Sequence, residues 1–181
     1  NDELGKVEGV DIILQYQQWP RTWQVEADWL RFKASGGYIR EVVSHFIFVV
    51  ERLFGEAKVN FSHPTYPDDT ALCETHLQAK LVCGTIPINI FGSCGGHGPD
   101  RQEITIWGAK KSAKISDFYL LEISENEKWS TISKTQSDPR TETLQRQLDN
   151  IVNLLEGRPQ PLANARTALS VQKIIERLLV A

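Results

Sequence analysis

Methionine is missing altogether from the 181 residues. A chain that keeps its initiator carries one and commonly buries others, so a run opening Asn1-Asp2-Glu3-Leu4 reads as a processed or excised piece of something longer. Cysteine is scarce. Cys73, Cys83 and Cys94 form an odd, irregularly spaced set of three, which argues against a disulfide frame and for reduced thiols in a cytoplasmic setting. No apolar run approaches the ~20 residues that a bilayer-spanning helix needs, and no signal-peptide pattern opens the chain. A basic excess is absent too: 20 Lys and Arg against 23 Asp and Glu leave a formal charge of −3. That balance excludes a nucleic-acid partner held by bulk electrostatics.

What is present suits one domain with a proper core, since 41% of the residues are hydrophobic and 24% charged. The chain is organised around Ser35-Gly36-Gly37-Tyr38 and the run that follows it. Ile39, Val42, Val43, Phe46, Val49, Val50 and Leu53 recur at helical spacing, and Gly55 stands where a helix C-cap belongs. Gly36 and Gly37 predict a tight turn that lets another molecule approach the first helical turn. Glu41 and His45 are four apart, which puts their β-carbons roughly 5–6 Å apart on one face. A carboxylate one turn before an imidazole can orient the ring and raise its proton affinity, as a general acid/base needs. The same pairing is also common on solvated helix faces.

Before this helix, alternation from Val10 through Ile12 and Leu14 to Tyr16 predicts a half-buried strand. The stretch from Trp19 to Lys33 mixes Trp19, Trp23, Trp29 and Phe32 with Arg21, Glu26, Asp28, Arg31 and Lys33. It reads either as packing over a core edge or as the wall of a cleft for a sugar-like substrate. After the helix come a short strand over 57–61 and a loop over 62–69, then strands over 77–83 and 86–90 joined at Gly84-Thr85. Further strands fall at Ile104–Ile106, Ala113–Ile115 and Phe118–Ile123, a run of antiparallel strands without intervening helices. Asp138-Pro139 starts a helix with Leu144, Leu148, Ile151 and Leu155 on one face and Gly157 as its stop. The last helix spans about Leu162 to Leu179, with Ala165, Ala168, Leu169, Ile175 and Leu178 inward. The class is α+β: an open, mostly antiparallel sheet with helices packed on one face, its other face partly polar and available to water or a second subunit.

Other candidates are thin. The run Phe91–Pro99 is glycine-rich but lacks the phosphate-loop order and reads as a flexible turn or a loop reaching a cleft edge. Cys94 and His97 have C-x-x-H spacing without the further ligands a zinc site needs, so no metal is expected, and Cys94 as a nucleophile has equally little support. His63 before Pro64 reads as solvent-exposed.

The run Gly36-Gly37, Glu41, His45 resembles the signature of the C-terminal domain in the glucose–fructose oxidoreductase / inositol dehydrogenase / MocA family: glycines, an acidic residue, and a histidine four positions later on a helix. Leu4-Gly5-Lys6-Val7, the Trp19–Trp29 segment and the closing Ala163–Leu179 resemble the family's flanking segments. Glu41 stands where the family usually has Asp, and the nucleotide-binding domain is missing. The resemblance implies that residues 1–181 are one substrate-binding and oligomerisation domain. It implies NAD or NADP in the full-length protein and none for this chain alone. His45 would exchange a proton with the reacting oxygen of a polyhydroxylated substrate, and Glu41 would orient His45 or hold a neighbouring hydroxyl. Gly36, Gly37, Trp29, Arg31 and Lys33 would line the pocket, and the sheet face would form a homo-oligomer. A non-catalytic dimerisation or ligand-binding module is the alternative, and a cofactor-free isomerase or hydro-lyase is weaker.

Overall fold

The computed structural model describes residues 3–132 and 138–180. Its centre is strand β1 (Val7–Tyr16), whose alternate residues Val10, Ile12, Leu14 and Tyr16 are all buried. The remaining strands are β2 (Ala57–Thr65), β3 (His76–Cys83), β4 (Ile86–Cys94), β5 (Arg101–Gly108), β6 (Ser112–Ser116), β7 (Leu120–Glu125) and β8 (Lys128–Thr131). They make one eight-stranded sheet in the order β2-β3-β4-β1-β5-β6-β7-β8. Every neighbouring pair is antiparallel except β1 with β4, which run parallel with Val10 beside Ile88 and Tyr16 beside Cys94. The parallel insertion is invisible to period-2 patterning, because a strand reads the same whichever way its neighbour runs.

Helices α1 (Ser44–Phe54) and α3 (Ala165–Leu178) cover one face of the sheet. Ile39, Val42, Val43, Phe46, Ile47 and Val50 pack with Leu77, Leu81, Ile88, Ile90 and Ile104 from the strands, and α3 adds Val171, Ile174, Ile175 and Leu178. Gly55 closes α1 with φ +89 and donates its N–H to the Glu51 carbonyl, as its position after the apolar run predicts. Helix α2 (Pro139–Leu155) begins at Asp138, whose side chain accepts from the Arg140 N–H.

Several expectations need correction. The loop expected over 62–69 is strand as far as Thr65, because β2 is an edge of the sheet and Pro64 there has no ladder partner to deprive on its open side. The glycine-rich run starts inside β4, where Gly92 lies flat under Tyr38: a β-carbon there would sit 2.8 Å from the phenol oxygen. Strand β8 was not foreseen; it is four residues long. The last helix starts at Ala165, later than expected, and Ala165, Ala168 and Leu169 are exposed, since only its second half reaches the sheet. The apolar side of α2 forms as expected but packs on nothing extensive among the described residues, leaving Leu144, Leu148, Ile151 and Leu155 exposed. No described helix is long and apolar enough to cross a membrane.

Candidate functional site

The segment carrying Glu41 and His45 is anchored by the glycine pair. The N–H groups of Gly36 and Gly37 donate to the Phe32 and Leu30 carbonyls at 2.7 and 2.8 Å. A β-carbon on Gly36 would lie 2.3 Å from the Leu30 oxygen, and one on Gly37, at φ +99, would lie 2.5 Å from both carboxylate oxygens of Glu74. Only glycine fits at either position. The sequence reading leaves this space for a ligand; in the structure the chain's own atoms fill it, so the pair shapes the turn without touching the cleft described below.

From there Ile39–Val43 makes one wide turn with i to i+5 spacing before α1 begins. Its first free N–H, on Ile39, donates to Glu74 Oε1 at 2.8 Å. The wide turn and the start of α1 present half-buried Glu41 and exposed His45 to one open cleft of about 750 Å³. The cleft is also lined by Arg21 and Trp23 from the aromatic segment, Asp117, Phe118 and Tyr119 from the β6–β7 turn, and Arg140 from α2. Phe118 stands edge-on to the His45 ring at 6.1 Å and stacks on Phe46 at 5.7 Å. Asp117 and Phe118 both hold left-handed backbone, with φ of 50° and 64°. That conformation is costly for a bulky side chain, and it recurs where a site demands a particular placement.

The other expected binding residues lie elsewhere. Lys33 Nζ sits 3.9 Å over the Tyr66 ring, Arg31 pairs with Asp28 at 3.2 Å, Trp29 is largely exposed, and none lines the cleft with His45. The reason is a tether: Lys33 N–H donates to the Ala71 carbonyl, Cys73 N–H to that of Arg31, and Phe32 bridges Leu72. These bonds draw residues 31–33 toward the β2–β3 connection. Arg21 and Trp23 belonged to the same aromatic segment and were legible as a class. Nothing in sequence pointed to Asp117, Phe118 or Arg140, which only the sheet and α2 bring near His45.

A second group of titratable side chains lies apart from the cleft lining. Burial pushes the Cys73 thiol up to about 12, and it also raises Cys94 and the phenols of Tyr16 and Tyr38. Burial that favours the neutral thiol works against Cys94 as a nucleophile. Cys94 ends β4 while His97 lies in the exposed turn beyond it, and no group of three or more metal-ligating side chains gathers among the described residues.

Neither glycine run forms the strand–turn–helix that grips a dinucleotide: the glycines at 95–98 lead from β4 directly into β5, and Gly36-Gly37 is packed against Leu30 and Glu74. A second recess of about 770 Å³ lies on the side of the sheet away from His45, lined by Ile13, Gln15, His63, His76 and Phe91. His63 is exposed there, but within β2.

No family model and no curated protein matches the chain. Solved structures do. A dehydrogenase (MviM) from Clostridium difficile superposes with a TM-score of 0.75 at 14% identity, covering 96% of this chain and 54% of that one. UDP-N-acetylglucosamine 3-dehydrogenase GnnA from Acidithiobacillus ferrooxidans gives 0.71 at 14%, covering 97% and 53%. The 3-ketoreductase KijD10 from Actinomadura kijaniata, in complex with NADP and TDP-benzene, gives 0.72 at 10%, covering 98% and 55%. The chain thus spans about half the length of these matches, and at such identity the likeness speaks for the fold alone: the described residues have the α+β fold found in one half of dehydrogenase and ketoreductase chains.

Proposed function

We propose that this chain is the substrate-binding half of an NAD(P)-dependent oxidoreductase acting on a hydroxyl-bearing carbon of a sugar- or cyclitol-like molecule, inactive without a dinucleotide-binding half. The observation that carries the reading is the convergence of Glu41, His45, Arg21, Trp23 and Phe118 on one cleft of about 750 Å³, a size suited to a small ligand. Hydride exchange is nicotinamide chemistry that the residues of this chain do not supply. What they can do is bind the substrate, exclude water from one side, and move a proton. His45, with its ring edge-on to Phe118 and open to the cleft, takes the proton of the reacting hydroxyl or returns it to the carbonyl oxygen. Glu41 makes no hydrogen bond to His45 among the described residues, so it serves the substrate by accepting from a neighbouring hydroxyl or by steadying the imidazolium from the preceding turn.

The test is kinetic. In the protein that joins this chain to its dinucleotide-binding half, His45→Ala should lower turnover by roughly 10²–10⁴-fold. The 181-residue chain alone should show no nicotinamide-dependent turnover. Full turnover in the His45 variant overturns the assignment. The second reading, a non-catalytic association module, is favoured by the sheet face away from the helices, where Phe61, Phe91 and Trp107 are exposed. A concentration-dependent dimer weakened by Phe91→Lys supports that role for the face, whether or not the cleft is catalytic.

A further inference from the structure

Arg31, Arg40, Arg101, Arg146 and Arg158 each meet a carboxylate within 4.0 Å. Arg21 meets aromatic rings instead. Its guanidinium carbon lies 5.4 Å from the Tyr16 centroid, 5.5 Å from Trp19 and 4.7 Å from Trp23. Its Nε donates to Gln24 Oε1 at 3.2 Å, and that oxygen is itself held by the Arg21 backbone N–H at 3.1 Å. The group is therefore fixed in place with Nε committed, while no carboxylate among the described residues pairs with its terminal nitrogens. Those nitrogens carry the paired donors that suit a carboxylate or phosphate. A guanidinium clamped between rings has little freedom left to lose on binding. Arg140, in the first turn of α2, lines the same cleft and likewise has no ion pair among the described residues.

We infer that the molecule taken into this cleft carries an anionic group, phosphate or carboxylate, gripped by Arg21 and Arg140 while its hydroxyl-bearing carbon faces Glu41 and His45. The inference rests on the functional reading above and deepens it by naming the substrate class as an anionic sugar derivative. The rings that hold Arg21 double as an apolar wall, for Trp23 is 66% exposed beside it, and such a face suits the C–H surface of a sugar ring.

Calorimetric titration of the 181-residue chain tests this, with glucose as the neutral probe and gluconate, glucose 1-phosphate and UDP-glucose as anionic ones. At least one anionic probe should bind tenfold or more tightly than glucose, with an affinity that falls as salt rises. The winning probe separates carboxylate from phosphate and from nucleoside diphosphate. Arg21→Gln and Arg140→Gln should each reduce that preference by about tenfold, with the loss falling on the anionic probes. Arg140 is exposed, so its variant keeps the test open even if the Arg21 change disturbs the ring cluster. Equal behaviour of all four probes, including no binding of any, overturns the inference, as does an anion preference that survives both substitutions. Arginine-dependent binding of NAD⁺ with none of the sugar derivatives also overturns it, because the anion would then be the dinucleotide's. His45→Ala separates the two readings: unchanged turnover in the two-domain protein with intact anion binding sinks the catalytic role and leaves the anion site standing.

Discussion

Glu74 is 1% exposed and holds one oxygen on the Ile39 N–H while the other has no partner. Burial raises its pKa above the ordinary carboxylate value, only partly opposed by backbone hydrogen bonds and by Arg40. A carboxyl group whose folded-state pKa is raised binds more protons folded than unfolded. Its contribution is therefore fully present below the ordinary value and is lost as pH rises through the raised one. Glu176 works the other way, because its hydrogen bonds to Arg40 hold its pKa down, and its stabilisation is lost as pH falls. We expect Glu74→Gln to remove the decline in thermal stability that sets in as pH rises above the ordinary carboxylate range, and Glu176→Gln to leave that decline in place. Melting curves over a pH series decide it, and an unchanged slope in Glu74→Gln would falsify the assignment. Phe118 gives a second expectation. Asparagine tolerates left-handed backbone where phenylalanine is strained. Phe118→Asn should hold or raise the melting temperature yet weaken ligand binding in the His45 cleft about tenfold, a split that a purely structural residue would not show.

At the scale of elements, the two C-terminal helices are capped alike and packed differently. Asn164 Oδ1 accepts from the Thr167 N–H at 2.9 Å, and Asp138 Oδ1 from the Arg140 N–H at 3.1 Å. Removing such a cap costs about 1 kcal/mol. Helix α3 is fastened to α1 and β2, with Val171, Ile174, Ile175 and Leu178 buried, so Asn164→Ala should lower global stability by about that amount in denaturant unfolding. Helix α2 lacks such fastening, so Asp138→Ala should leave the global transition alone and speed hydrogen exchange within 139–155. A shared global loss would show α2 to be part of the cooperative unit. The segment 133–137 that leads into α2 lies outside the described residues.

Across the whole molecule, apolar residues of one size have opposite fates. Ile12 and Leu148 are both large aliphatic side chains, but Ile12 is 0% exposed in the central strand and Leu148 is 63% exposed on α2. Ile12→Ala should cost about 2–5 kcal/mol, a large part of a typical domain's stability of about 5–15 kcal/mol. Leu148→Glu should be silent in the thermal unfolding of the 181-residue chain. A destabilisation there comparable to that of Ile12→Ala would show that α2 is covered. The sheet has the same two-sidedness. Asn89 and Trp107 donate to Asp11 at 2.9 and 2.7 Å on the face away from the helices, and Lys114 pairs with Glu122 beside Trp129 at 2.7 Å. That face mixes aromatic, charged and polar side chains and is open in this chain to water or to another protein.

Local chemistry by itself determined the α+β class, the central strand, the β3–β4 hairpin at Gly84-Thr85, helix α1 with its Gly55 cap, and the Asp138 start of α2. Each depends on periodicity or on a cap within a few residues. The glycine pair and the Glu41–His45 spacing were legible for the same reason. Tertiary structure decided the rest: that β1 slips between β4 and β5 and runs parallel to one of them, and that Leu30 and Glu74 fill the space beside Gly36 and Gly37. It also decided that Lys33 turns to Tyr66, while Arg21, Phe118 and Arg140 gather around His45. Those placements depend on contacts between residues far apart in the chain, such as Ile39 with Glu74 and Arg40 with Glu176, for which no local pattern carries a signal.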